Sequence, residues 1–126
     1  MSSAAPASLR IALVAPPWFQ IPPRGYGGIE AMVADLANSL VGRGHDVVLI
    51  AAGENGTSAR FRTTYTVPPT ARLGEGLAEV VHAASAARYL DQLELDLVHD
   101  HCLAGPLTAA GRRVPTVSTA HGPMDG

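Results

Sequence analysis

Apolar and polar positions change period several times along this chain, and each change marks an element. Leu9–Ala15 is a short, almost continuous apolar run stopped by Pro16 and Pro17. Being apolar on both faces, it predicts a buried parallel strand. A loop follows, Pro16 to about Gly27, with four prolines, Trp18, Phe19, Arg24 and Tyr26. Ile29, Met32, Val33, Leu36, Ala37, Leu40 and Val41 then recur at helical spacing. Glu30 in the first turn and Arg43 in the last suit the helix dipole, and Gly44 suits the left-handed position that stops the helix. His45 is expected to pack against or cap that connection.

Asp46–Ala52 predicts a second buried strand, Gly53–Ser58 a turn-rich loop, Arg60–Val67 a short third strand and Pro68–Gly76 another loop. From Glu75 to about Leu93, the residues Leu77, Val80, Val81, Ala84, Ala87, Leu90 and Leu93 keep helical spacing, which puts His82 on the opposite, solvated side. Asp96–His99 reads as a short strand. A brief helix is expected from Pro106 to Gly111. Pro115–Thr119 is a last strand with its proline where no ladder donor is demanded. Met1–Ser8 is a loose, flexible tail, and there is no internal repeat.

Strands alternating with helices imply an α/β, Rossmann-like fold: a doubly wound parallel sheet in three αβα layers with right-handed crossovers. In such sheets ligands bind beyond the carboxyl ends of the strands, beside the first strand. Three segments then share one rim: Pro16–Gly28, His99–Cys102 and Ala120–Gly126.

Composition narrows the partners. With 126 residues, 47% of them hydrophobic and 16% charged, the chain suits one globular domain. Only 5% are aromatic, so the core must be built from Ala, Val and Leu packed closely. A net charge of −2 gives no electrostatic reason to expect nucleic acid or an anionic membrane. The lone Cys102 excludes an internal disulfide and fits a reducing compartment. No run approaches the roughly 18 apolar residues of a membrane span, and the start does not resemble a secretory signal. A cytoplasmic protein is expected.

Gly25-Tyr26-Gly27-Gly28 runs directly into the first helix. Glycines permit positive φ and close approach of a ligand, and a helix start offers N–H groups and partial positive charge to phosphate. Arg24 adds a cation. Otherwise the glycines only make a tight turn into the helix. A nicotinamide-binding fingerprint fails here. About ten residues separate the turn from the strand, and Glu30 stands where that motif wants its third glycine. Glu54 has the sequence place of a ribose-binding acid but the wrong loop ahead of it. No lysine is present for a triphosphate loop.

His99 and His101 alternate along a strand end, so either both face one ligand, or one caps the strand end and the other is solvated. Two such ligands without a third do not define a metal site, and none is expected. His121, in Ala120-His121-Gly122-Pro123, follows the last strand on the same rim and is either a working histidine or a plain loop residue. Trp18 is expected to pack. Tyr26 is either a loop anchor or a face for an apolar or sugar ligand.

Leu9-Arg10-Ile11-Ala12-Leu13-Val14 with its proline-rich loop, Gly27-Gly28-Ile29-Glu30, Arg43-Gly44-His45-Asp46-Val47, Asp96 to His101, and Thr119-Ala120-His121-Gly122 stand in this order. Together they resemble the start of family 4 GT-B glycosyltransferases, over essentially Leu9 to Gly126. The resemblance implies a hexosyl-type transferase moving a sugar, with retention, from a nucleotide-diphosphate sugar to an acceptor. It implies no cofactor, the nucleotide-sugar being a substrate. It places Gly27 and Gly28 against the donor diphosphate, His121 as the catalytic histidine near the reacting sugar, and His101 with Tyr26 on the acceptor side. The family's donor-binding C-terminal domain is absent from these residues. The chain is therefore expected to be a truncated N-terminal domain, inactive alone, with its last strand at an open edge. Two rivals stand beside this reading: a non-catalytic phospholigand-binding or subunit-interaction module, and a sugar-nucleotide epimerase.

Overall fold

The computed structural model describes residues 8–25, 27–102, 106, 109 and 111–119. Five strands, β1 (Arg10–Val14), β2 (Asp46–Ala51), β3 (Arg60–Thr63), β4 (Leu97–Asp100) and β5 (Thr116–Ser118), form one sheet in the order β3-β2-β1-β4-β5. Every pairing is parallel. Helix α1 (Gly28–Gly42) crosses from β1 to β2, and α2 (Gly76–Gln92) crosses from β3 to β4. β1 lies at the centre because its residues are apolar on both faces. Ile11, Leu13 and Ala15 join one core with Val33, Ala34 and Ala37 of α1. Ala12 and Val14 join the other with Ala86 and Leu90 of α2. These two cores, on opposite faces of one parallel sheet, are the expected doubly wound α/β arrangement.

Charged pairs hold the amino ends of the strands in register. Arg10 donates to both carboxylate oxygens of Asp96 at 3.1 and 3.3 Å, while the Asp96 carboxylate also accepts the Arg10 backbone N–H at 2.8 Å. The Arg10 guanidinium holds the Asp96 carboxyl below its ordinary value. Asp46 and Arg60 make a second two-point pair across β2 and β3, both bonds at 3.1 Å. These pairs are exposed, so they set register more than they add stability.

α1 ends as its sequence predicts. Gly44 has φ of 92° and its N–H donates to the Val41 carbonyl. His45 accepts the Leu9 N–H on Nδ1 at 3.1 Å, tying the start of β1 to the helix end. Arg43 is the C-cap, just outside the last turn. The buried face of α1 centres on Glu30, Val33, Ala34 and Ala37, and Met32 is exposed.

α2 departs from the expected face. Its buried residues are Ala78, Glu79, His82, Ala83, Ala86 and Leu90, whereas Leu77, Val80 and Val81 are exposed. His82, expected in solvent, is wholly buried. The reason is distance of approach: the alanine face lets α2 lie close to the sheet, and the larger Leu and Val face would hold it away. Tyr89 and Tyr65 then fasten the helix, donating to the carbonyls of Thr63 at 2.8 Å and Ala78 at 3.1 Å.

β3 is shorter than the run Arg60–Val67, and a 3-10 turn (Thr70–Arg72) lies in the expected loop before α2. β5 pairs only with β4 and forms one edge of the sheet among the described residues. Of the expected helix Pro106–Gly111, Pro106 and Ala109 are helical and most of the remainder lies outside the described residues.

Candidate functional site

The carboxyl ends of β1 and β4 bring the loop after β1, the start of α1 and His99–Cys102 to one rim. Gly27 is the N-cap of α1, with φ of 145° and no side-chain cap, and its carbonyl accepts the first intrahelical bond from Ala31 at 2.9 Å. A Cβ on Gly27 would stand 2.9 Å from Cβ of Pro23, so the loop closes tightly over it. Gly28 differs: a Cβ there would meet nothing within 4 Å. Its side-chain position is thus open, at a helix start, where N–H groups without an intrahelical partner favour an anion.

Glu30 belongs to this turn in a way its sequence position does not disclose. It is buried, and its carboxylate is hydrogen-bonded by its own N–H and by that of Phe19. It thus caps one of the early helical donors and anchors the proline-rich loop. Burial pushes the Glu30 carboxyl above its ordinary value, the two N–H bonds oppose this, and nearby Glu79 adds to the rise. Gly28 and Ile29 are the first two residues of the helix, ahead of Glu30. A cavity of about 150 Å³ lies there, walled by Trp18, Phe19, Gly27, Gly28, Glu30 and Leu73. Trp18 packs as expected, and its carbonyl accepts a bond from the Thr70 hydroxyl.

Beneath the rim, polar groups converge on one carbonyl. Ala15 O accepts from Nε2 of His82 at 2.6 Å and from Sγ of Cys102 at 3.2 Å. A carbonyl only accepts, so Nε2 carries the ring proton and Nδ1 accepts from the Thr64 hydroxyl at 2.6 Å. Burial lowers the His82 pKa to about 4, and the bond to Ala15 partly opposes the shift. Cys102 donates its backbone N–H to Asp100 at 2.9 Å. Burial, with the Asp100 charge beside it, pushes the Cys102 thiol well above its ordinary value. Such a thiol is a packing residue and not a nucleophile. Asp100 is itself raised by burial.

His99 and His101 share a face as the strand period requires, with ring centroids 4.0 Å apart. His99 pairs with the Thr119 hydroxyl at 2.7 Å, joining the ends of β4 and β5. His101 is buried, and its backbone N–H donates to the Val14 carbonyl at 2.9 Å. Among the described residues no group of three or more His, Cys, Asp or Glu is placed to hold a metal ion. Tyr26 and His121 lie outside the described residues. The structure therefore joins Gly27, Gly28, His99 and His101 on one rim.

Two features of the rim had no separate signal in the sequence. One is the burial of Glu30; a carboxylate two residues past a helix-opening glycine was a hint. The other is a cleft of about 400 Å³ between the loops after β1, β2 and β3, lined by Gln20, Arg24, Glu54, Thr66, Val67 and Pro68. A further cavity of about 440 Å³ lies at the end of α2, beside Leu90, Leu93, Arg112 and Val114. It is at the amino end of the strands, away from where such sheets hold ligands.

Residues 26–125 match the family model described as Glycosyltransferase Family 4. The chain belongs to glycosyltransferase family 4. Among solved structures it is similar to AviGT4, a glycosyltransferase involved in avilamycin A biosynthesis, with a TM-score of 0.60 and 28% identity. That likeness covers 90% of this chain and 32% of AviGT4, so the chain spans about a third of the enzyme's length. No curated protein matches. The five-stranded parallel sheet with its flanking helices is a Rossmann-like α/β arrangement that matches a GT-B glycosyltransferase. The matched region begins in the glycine turn and runs past β5, so it contains the rim from Gly27 onward. Among the described residues no helix is long and apolar enough to cross a membrane.

Proposed function

We propose that this family 4 domain is the acceptor-side part of a cytoplasmic, retaining, hexosyl-type glycosyltransferase that takes its sugar from a nucleotide-diphosphate donor. The observation that carries this reading is the open Cβ position at Gly28, at the start of α1 on the ligand rim. There the N–H groups of Gly28 and Ile29 offset charge building on the departing diphosphate. Gly27 shapes the turn. His121 positions the reacting sugar or the acceptor, and His101 and Tyr26 stand on the acceptor side. The reaction uses no cofactor. A second Rossmann-like domain supplies most of the donor site, and closure between the two limits wasteful hydrolysis. This domain alone is inactive.

Gly28→Val tests the diphosphate seat. Its Cβ meets open space, so the fold should survive, while the added methyls obstruct the phosphate. Donor affinity in the two-domain enzyme is expected to fall by about tenfold, or ~1.4 kcal/mol, by calorimetric titration. Unchanged affinity and turnover would remove the role. The broader reading is tested by screening nucleotide-sugars against candidate acceptors. Absence of both transfer and hydrolysis across the screen sinks it.

A non-catalytic binding or subunit-interaction module is the second reading. The exposed apolar residues Leu77, Val80 and Val81 on α2 favour it, because such a stripe suits a protein contact. Turnover with any donor decides against it.

A further inference from the structure

The cavity of about 440 Å³ at the carboxyl end of α2 has no part in the transferase reading. It lies between the last turn of α2 and the turn that leads into β5, at the opposite end of the strands from the glycine turn. Its volume is within the usual range for small-molecule sites.

Both walls are fixed before any ligand arrives. Leu90 is buried in the core on the α2 face of the sheet, and Leu93 and Val114 pack against that core. Across the cavity, Gly111 turns with φ of 79°, and the Arg112 backbone N–H donates to the Ala109 carbonyl at 3.1 Å. The Arg112 guanidinium donates to the Thr116 hydroxyl at 3.0 Å, which fastens that side chain to β5. The Val98 N–H donates to the Pro115 carbonyl at 2.9 Å and holds the same segment beside β4. Walls placed in this way lower the ordering cost of binding.

The lining carries both signs of charge over an apolar floor. Leu90, Leu93 and Val114 form the floor. Arg112 and Arg113 bring guanidinium donors from one wall, and Asp91 brings a carboxylate from the other. Asp91 and Arg113 are exposed, and among the described residues neither joins an ion pair, so they do not neutralise each other. The neighbouring acids Glu94 and Asp96 are taken by Arg10. The last turn of α2 carries no basic residue, so its own side chains leave the negative pole of the helix in place. That pole adds to the pull of Asp91 on a cation. A plain anion would meet Asp91 and the helix end, and a plain cation would meet two guanidinium groups. A molecule with both charges beside an apolar group suits all three surfaces.

We propose that this cavity binds a free α-amino acid with an apolar side chain. The ligand carboxylate accepts from Arg113, with the charge of Arg112 beside it. Its ammonium faces Asp91 and the end of α2, and its side chain lies on Leu90, Leu93 and Val114. The site stands apart from the ligand rim and does not depend on the transferase reading.

The test is titration of the chain with L-leucine and with L-phenylalanine, followed by NMR amide shifts. Saturable shifts are expected at Asp91, Leu93, Gly111 and Arg113, and none at Gly28 or Ile29. Isocaproate lacks the ammonium of leucine and isopentylamine lacks its carboxylate, so each should bind about tenfold more weakly than leucine. Glycine, with no side chain, should not saturate. Arg113→Ala and Asp91→Asn should each weaken leucine binding by about fivefold or more, with the melting temperature unchanged because both side chains are exposed. Failure of both amino acids to saturate the cavity overturns the proposal. So does binding of isocaproate or isopentylamine as tight as that of leucine, which would make this a site for a plain carboxylate or amine. Leucine binding that neither substitution weakens overturns it as well, and the ligand comparison on the unsubstituted chain decides the matter if a variant does not fold.

Discussion

Lowering the pH from 7 to 4 is expected to remove about 3 kcal/mol of stability through His82 alone. The ring is fully enclosed between Ala15, Thr64 and the α2 face, and burial holds its pKa at about 4 against an ordinary value of 6.5. The unfolded chain therefore binds the proton first. The contribution is whole above pH 6.5, is lost as pH falls from there to about 4, and changes no further below. Glu30 and Asp100 act in the opposite sense, because burial raises both, and the folded state takes up their protons more readily. The total profile therefore mixes signs. A comparison with His82→Gln separates them, since the amide can still donate to Ala15 but does not titrate. At pH 7 the variant should be less stable by about 2–4 kcal/mol, through lost packing and the lost bond to Thr64. Between pH 6.5 and 4 that gap should narrow by about 3 kcal/mol. Urea denaturation across this range measures both quantities, and parallel profiles for the two proteins would rule out a buried neutral His82.

Gly27→Ala should destabilise by about 2–4 kcal/mol, whereas Gly28→Ala should be neutral or stabilising by up to about 1 kcal/mol. Neighbouring glycines of one turn thus have opposite reasons to be there. Gly27 has a positive φ that an alanine resists, and the added methyl would lie within 3.0 Å of two Pro23 carbons and 3.3 Å from Phe19. The ring of Pro23 is stiff, and Phe19 is held through its N–H by Glu30. Relief therefore has to come from the backbone. Gly28 has ordinary helical geometry and an empty Cβ position, so alanine there only improves helix propensity. Thermal melts of the two variants give the contrast directly. Equal destabilisation would mean that the loop, and not the Gly27 conformation, governs the turn. On the present reading Gly27 is selected for shape and Gly28 for access, which is why Gly28→Val tests ligand binding and Gly27→Ala tests folding.

Much of this molecule is legible in its residues. The two-faced apolar runs at Leu9–Ala15 and Asp46–Ala52 are central parallel strands because only a strand covered on both sides needs such a pattern. Gly44 ends α1 where a left-handed residue is required, and the period of two puts His99 beside His101. The rim beyond β1 and β4 follows from topology alone once the sheet is known to be parallel.

What failed in the sequence was the choice between two helical stripes on α2. Leu77, Val80 and Val81 carry more hydrophobic weight than Ala78, Ala83 and Ala86, and periodicity ranks stripes by that weight. Packing also rewards close approach. An alanine face seats the backbone against the sheet and brings His82 within reach of the Ala15 carbonyl. That bond exists only when β1, α2 and the segment after β3 are assembled, since Ala15 and His82 are 67 residues apart. The same holds for the burial of Glu30 and for the cleft holding Gln20, Arg24 and Glu54, whose walls are three loops fastened to one another. Local pattern and composition determined the α/β class, the strand centre, the helix limits and the glycine turn, because those depend on neighbours within a few residues. Which face of α2 is buried, which polar groups are sealed beneath the rim, and which loops meet to form a pocket were decided by tertiary structure, because each depends on how closely distant segments approach.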